Sequence, residues 1–296
     1  MAGGAGGPAG DAGDFAVAPG LAPDLLVSAV GYRSTQRAPR IHRGLPSPAL
    51  TFVVGLDGPI VTGHTPDQAT GPAADRTTVT IAGLQTTPAY VAEEGEQSGI
   101  QLAVRPLAAR AVFGVPAAEL SAFVTDGTDV LGPSAESLRG RLAEAPSWEA
   151  RFAILERYLR RRADRQEVRP PRPEIAEAWR WIARHRGTGS IPGLARHVMM
   201  SQRQLTTLFR AELGLTPKAA SRLMRFENAR RHIAHALVSG APLDLSRIAQ
   251  ICGYYDHSHL VRDFQQYVGA SPTRWIAEEH RNIQAGEQLR GEDLAA

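Results

Sequence analysis

Apolar residues in this chain fall into two rhythms. From Leu25 to about Leu107 they form short runs: Leu25 to Val30, Leu50 to Leu56, Ile60-Val61, Thr77 to Ile81, Ala89 to Ala92 and Ile100 to Val104. Gly and Pro separate the runs, and β-branched residues are frequent within them, so they predict strands gathered into a small β-sandwich or barrel. Leu56-Asp57-Gly58-Pro59 predicts a turn between two strands, since Asp and Gly tolerate positive φ. From Leu107 the spacing becomes helical. Leu107 to Phe113 is followed by Pro116 to Val124, which opens on a proline suited to a first helical turn. A further helix is capped by Ser147 and carries Trp148, Phe152, Leu155 and Leu159 as one apolar stripe. That stripe suits packing on the domain's own sheet, and it also suits a helix pair with a second copy of the chain.

Arg160-Arg161-Arg162 follows that helix, and Val168-Arg169-Pro170-Pro171-Arg172-Pro173 then forces an extended course. This predicts a linker whose arginines are solvated, with a phosphate contact as the alternative. Beyond it, Glu174 to Arg186 predicts a helix burying Ile175, Ala178, Trp179 and Ile182. Leu194 to Val198 comes next, then a break at Met199-Met200, then Ser201 as N-cap of a helix running through Leu205 and Phe209. The pattern recurs. Leu245 to Cys252, a break at Gly253-Tyr254-Tyr255, and Asp256 to Phe264 make a second helix, turn and helix. Leu194-Ala195 matches Ile248-Ala249, while Leu205, Phe209, Gly214 and Pro217 match Leu260, Phe264, Gly269 and Pro272, with the second turn one residue longer.

The matched positions are those that packing and capping demand; the residues between them are free to make contacts outward. Between the copies, Pro217 to about Ser239 predicts a helix with Leu223, Phe226, Ala229, Ile233 and Leu237 on one side. Its length, about 33 Å at 1.5 Å per residue, is close to one turn of B-DNA. Paired helix-turn-helix units at that separation fit successive major grooves. The predicted fold class is α+β in two domains: a β-rich barrel- or sandwich-like N-terminal domain with flanking helices, then an all-α domain with two helix-turn-helix units. The expected boundaries are a disordered tail 1–20, a β-rich domain 21–165, a linker 166–173, a DNA-binding domain 174–283 and a flexible tail 284–296.

Composition adjusts this picture in a few places. The 296 residues carry a net charge of only +3, although the pI is about 9.3, so charge hints at nucleic acid without deciding it. Lys218 is the single lysine among 33 basic residues, a skew that fits coding bias as well as a need for bidentate contacts. Cys252 is the one cysteine, which excludes an internal disulfide framework and multi-cysteine metal sites and favours a reducing cytoplasm. The Gly/Ala-rich start lacks the pattern of a signal peptide, and no run is apolar enough to span a bilayer, so no membrane partner is expected. His42 and His64 stand apart without a carboxylate pattern, and Glu93, Glu94 and Glu96 read as a solvated run. Neither group predicts a metal site, and no cofactor or catalytic residue is expected.

This arrangement resembles the C-terminal DNA-binding domain of the AraC/XylS family of bacterial transcription regulators. The resemblance covers about Ile175 to Ile276 and is most specific in Ile248-Ala249, Gly253-Tyr254, Asp256, Ser258-His259-Leu260, Arg262, Phe264, Gly269 and Ser271-Pro272. It implies two units docking in adjacent major grooves, joined by the fourth of seven helices, beside an N-terminal domain that binds an effector or dimerises. Gln202, Arg203, Thr206, Thr207 and Arg210 would face DNA from the first unit, and His257, Ser258, Val261, Arg262 and Gln265 from the second. Arg203 and Arg262 suit bidentate reading of guanine and Val261 a thymine methyl, whereas Arg262 could instead meet a phosphate or a carboxylate. His259 reads as a structural group near the helix start. Thr207 stands where family members often carry a basic residue, and Gly193 weakens the start of its helix.

The implied function is a sequence-specific transcription regulator responsive to a small molecule and without catalysis. Double-stranded DNA is the principal partner, with RNA polymerase, an effector and a second copy of the chain as further candidates. The competing reading is an enzyme fused to a DNA-binding module, either a metal-dependent β-barrel or a DNA-repair activity. A repair transferase would need an activated Cys252, which is expected to be packed and inert. A non-specific nucleoid-type binder is the third reading.

Overall fold

The computed structural model describes residues 14–34, 39–93, 95–165 and 169–284. Among the described residues, ten strands form two antiparallel sheets that do not close into a barrel. The larger sheet runs in the order β1 (Asp14–Val17), β2 (Leu26–Ser34), β9 (Gln97–Val104), β4 (Leu50–Gly55), β7 (Val79–Ala82) and β10 (Thr125–Asp126). The smaller runs β3 (Arg40–Gly44), β8 (Ala89–Glu93), β5 (Ile60–Gly63) and β6 (Asp75–Thr77).

Side-chain alternation along the central strands sends two sets of residues to opposite faces. Leu50, Phe52 and Val54 of β4, Ile100, Leu102 and Val104 of β9, and Val79 and Ile81 of β7 are wholly buried. Phe52 stands opposite Leu102 on one neighbour and Ile81 on the other, so these residues make one apolar ladder. Two short helices, α1 (Pro66–Thr70) and α3 (Gly127–Leu131), follow β5 and β10; the ladder is covered by α2 (Ala109–Phe113), α4 (Ser134–Glu144) and α5 (Trp148–Arg165), and Phe52 meets Phe113 edge to face at 5.6 Å. The apolar core therefore lies between the large sheet and helices. The other face, with Ser28, Val30, Tyr32, Thr51, Val53, Thr80 and Gln101, looks across to the small sheet over a cavity of about 630 Å³. The expected β-rich domain with flanking helices is therefore present, as two sheets and not as a barrel.

Several other expectations change here. Asp14–Val17, assigned to the tail, pairs with Val30 to Arg33 as an edge strand, while 1–13 and 285–296 lie outside the described residues. Thr77 to Ile81 is not one strand: the chain crosses between sheets at Thr78, whose hydroxyl bonds Glu136. Leu56-Asp57-Gly58-Pro59 does turn between two strands as expected, β4 and β5, although these belong to different sheets, and Asp57 accepts from Ser98. The Pro116 to Val124 helix is only a 3-10 turn at Ala117–Leu120, because the chain leaves to pair β10 with β7. Arg160, Arg161 and Arg162 belong to α5 and not to the linker; Arg160 pairs with Asp24 at 2.7 Å and Arg162 donates to the Val112 carbonyl at 2.6 Å. Glu93 is buried and paired with Arg40 at 3.1 Å, while Glu94 lies outside the described residues. Phe152, Leu155 and Leu159 are buried within a single chain, which removes this stripe as a dimer seam.

Seven helices follow among the described residues: α6 (Pro173–Arg184), α7 (Ile191–His197), α8 (Gln202–Leu213), α9 (Pro217–Ser239), α10 (Leu245–Ile251), α11 (His257–Val268) and α12 (Pro272–Gln284). Buried residues of α6, α7 and α8 belong to the same continuous core as the N-terminal helices, whereas most of α9 and all of α10, α11 and α12 share a second core around Phe226, Phe264 and Trp275. No helix among the described residues is long and apolar enough to cross a membrane.

Candidate nucleic-acid interface

The two helix-turn-helix units match helix for helix in length. Helices α7 and α10 differ by 54 positions at both ends, and α8 and α11 by 55. Their turns follow one hydrogen-bonding scheme. The Met199 and Met200 amides donate to the Arg196 and Ala195 carbonyls, as the Gly253 and Tyr254 amides donate to those of Gln250 and Ala249. Both turns need a left-handed residue. Gly253 supplies it at φ 74°, and Met199 occupies the same conformation at φ 54°. The added residue of the second turn precedes its N-cap. Ser201 caps α8 by accepting from Gln204 and Asp256 caps α11 by accepting from His259, so each of these helices starts at a fixed point.

Leu205, Phe209 and Leu213 bury one side of α8, and Leu260, Phe264 and Val268 the same side of α11. The opposite sides carry the residues expected to face DNA. Gln202, Arg203, Thr207 and Arg210 are exposed and Thr206 is half-buried, its hydroxyl donating to the Gln202 carbonyl at 2.8 Å. On α11, His257, Ser258, Arg262 and Gln265 are exposed and Val261 is half-buried. Arg262 Nε reaches the Ser258 carbonyl at 3.3 Å, and no ion pair holds Arg203, Arg210 or Arg262 among the described residues. His259 is half-buried and meets Tyr254 edge-on at 5.3 Å. Gly193 lies where a Cβ would stand 2.8 Å from Ser190 Oγ, the group that caps α7 by accepting from the Gly193 amide. The missing side chain makes room for the cap.

Features not anticipated surround these helices. Tyr255 and Met199 are 94% and 92% exposed beside the two turns. Asp263, on the inner side of α11, is fully buried and pairs with Arg222 of α9. Glu227 and Arg230 are buried on α9 and joined by two hydrogen bonds of 2.8 and 2.9 Å. On α6, Glu177 collects His197, Arg184 and Arg180; the hydrogen bonds of His197 and Arg184 bring its pKa down to about 2. Cys252 is buried, accepts from Asn228, and has its thiol pushed up to about 11 by burial. Such a thiol is a poor nucleophile at neutral pH. His64 stacks on Phe123 at 3.8 Å, and among the described residues no three His, Cys, Asp or Glu groups gather as metal ligands.

The N-terminal domain touches both units at the same position. A Cβ on Gly214, the C-cap of α8, would stand 3.3 Å from Ala118, and one on Gly269, the C-cap of α11, 3.1 Å from the Tyr90 hydroxyl. Arg110 of α2 grips Glu212 of α8 with two bonds of 2.8 and 2.9 Å, and Arg43 of β3 donates to Glu278 of α12 at 2.7 Å. Trp275, Glu278, Glu227 and Arg230 also line the cavity between the sheets.

The helix-turn-helix domain family matches residues 194–278. The arabinose operon regulatory protein of Escherichia coli (strain K12) is 28% identical over 156 residues, which are 49% of this chain and 52% of that protein. The probable transcriptional regulator LumQ of Photobacterium leiognathi is 29% identical over 86 residues, 29% of this chain and 33% of its own. The chain thus spans about half the length, or less, of these relatives. Among solved structures, ToxT from Vibrio cholerae O395 aligns over 83% of this chain and 95% of its own, with a TM-score of 0.47 and 9% identity. Residues 194–278, which hold α8 and α11, thus match the helix-turn-helix domain family, and over 156 residues the chain is similar to arabinose operon regulatory proteins.

Proposed function

We propose that this chain is a sequence-specific DNA-binding transcription regulator. The observation that carries the reading is the exact repetition of a capped reading helix, twice, with its hydrogen-bonding side exposed. A 23-residue helix separates the copies, about 34 Å at 1.5 Å per residue and so about one turn of B-DNA. Base edges would be read by Gln202, Arg203, Thr206, Thr207 and Arg210 in one groove, and by His257, Ser258, Val261, Arg262 and Gln265 in the next. The cavity between the sheets is the place for a small-molecule effector, since it is concave, largely apolar in its strands and lined by a few polar groups. Its wall includes residues of α9 and α12, so a bound molecule would touch the helices that carry the second unit.

Selection of bound sites from random DNA tests this function. The expected result is one conserved motif in two halves, and its enrichment should change when cell metabolites are added. Equal recovery of all sequences would leave only a non-specific binder.

A further inference from the structure

The two copies differ in what holds the reading helix from behind. In the first, Glu212 ties the end of α8 to Arg110 of the N-terminal domain, and the position that matches Asp263 is Leu208, which packs against the apolar core. The second places a fully buried carboxylate there instead. Asp263 Oδ1 accepts from Arg222 Nη2 of α9 at 2.6 Å, and the same nitrogen donates to Gln266 Oε1 at 2.9 Å. The guanidinium also lies 5.9 Å from the centre of the Tyr267 ring. Three residues of α11 therefore converge on one arginine of the linker helix. Beside them, Arg225 of α9 stacks 5.5 Å from Tyr254 and donates to the Gly253 carbonyl at 3.3 Å, which fastens the turn as well. Burial and then the Asp263 charge push the Tyr254 phenol upward, as expected of a hydroxyl beside a dry carboxylate.

Burying a carboxylate costs more than burying the leucine of the first copy, and an ion pair in that setting adds little net stability over good apolar packing. What it adds is direction. An apolar contact tolerates sliding and rotation, whereas a guanidinium and a carboxylate held by fixed hydrogen bonds permit one angle. We propose that Arg222 and Asp263 are positioning residues that set the angle between the linker helix and the second reading helix, and thereby the half-site spacing that the chain accepts. The inference rests on the DNA-reading function proposed above.

Spacing is therefore the quantity to measure. The full chain is presented with selected half-sites at varied separations, as wild type and as Asp263→Leu, which installs the first copy's residue, and Asp263→Asn. Thermal melting of each variant reports folding. Wild type should prefer one spacing, about 10 base pairs between half-site centres. In both variants the base preference of the first half-site should be unchanged, while discrimination against spacings one base pair longer or shorter falls about tenfold. The neutral pair Arg222→Met with Asp263→Leu should recover melting temperature without recovering that discrimination. Uniform loss at every spacing, an unchanged spacing preference, or its return in the neutral pair would overturn the proposal. A wild-type chain that selects no sequence would instead refute the DNA-reading function itself.

Discussion

Arg262 is exposed and, among the described residues, held by one contact of 3.3 Å to its own helix, so moving it onto a base edge sacrifices little. A bidentate contact to guanine from such a residue contributes about 1–3 kcal/mol of discrimination. Arg262→Ala should therefore weaken binding at the cognate site by about 1–3 kcal/mol and relax preference at one base pair. Titrations against the selected site and its single-base variants, at one salt concentration, check this; an equal loss on all of them would make Arg262 a phosphate contact. Cys252 poses the reverse question. A buried thiol with its pKa pushed up to about 11 should resist alkylation at pH 8 until the protein unfolds. Rapid labelling of native protein would reopen the cysteine chemistry that this environment argues against.

At the scale of elements, the turns show how one motif tolerates different residues. Met199 adopts a left-handed conformation that glycine adopts without steric cost, so Met199→Gly should stabilise the protein by about 0.5–1 kcal/mol despite the entropy of the unfolded glycine. Gly253→Ala should cost more, about 1–3 kcal/mol, because its Cβ would stand 2.6 Å from the Thr188 methyl. Denaturant melts of the two variants should move in opposite directions. These turns were legible in the sequence because caps, breaks and the Leu-to-Phe spacing are local signals. The exposed sides of α8 and α11 followed from the same periodicity. Other elements were less visible for physical reasons. Strands β1 and β10 are four and two residues long and exist through pairing with distant partners. The cavity depends on which strand faces go to the helices, a matter of topology that alternation alone leaves open. Ala135, Leu138 and Leu142 of α4 do carry a helical spacing, so that helix could have been read and was missed. The buried Asp263, Glu227 and Arg230 interrupt otherwise apolar sides, and only their partners explain them.

Across the whole molecule, the N-terminal domain meets both units at their terminating glycines and locks each with an arginine from its own side, Arg110 to Glu212 and Arg43 to Glu278. The second lock adjoins the cavity, which makes it the contact an effector would reach. It is also sensitive to acid. Burial alone would raise the Glu278 pKa, but the hydrogen bonds and charges of Arg43 and Arg274 outweigh it and hold the carboxyl below its ordinary value. For a carboxylate depressed in this way, the stabilisation is complete above the unfolded pKa of about 4.3 and is lost as pH falls through the folded value. The α12 contact should thus be unchanged between about pH 5 and 7 and weaken only below about pH 4. Glu278→Gln should abolish that acid dependence and loosen the contact at neutral pH by about 1 kcal/mol, the scale of a half-exposed charged hydrogen bond. Hydrogen exchange in β3 and β8 is the direct measure: the variant should exchange faster than wild type at pH 7 and no faster at pH 3. Equal protection at pH 7 would mean that apolar contacts around Trp275, not the Arg43 lock, hold α12 against the sheet.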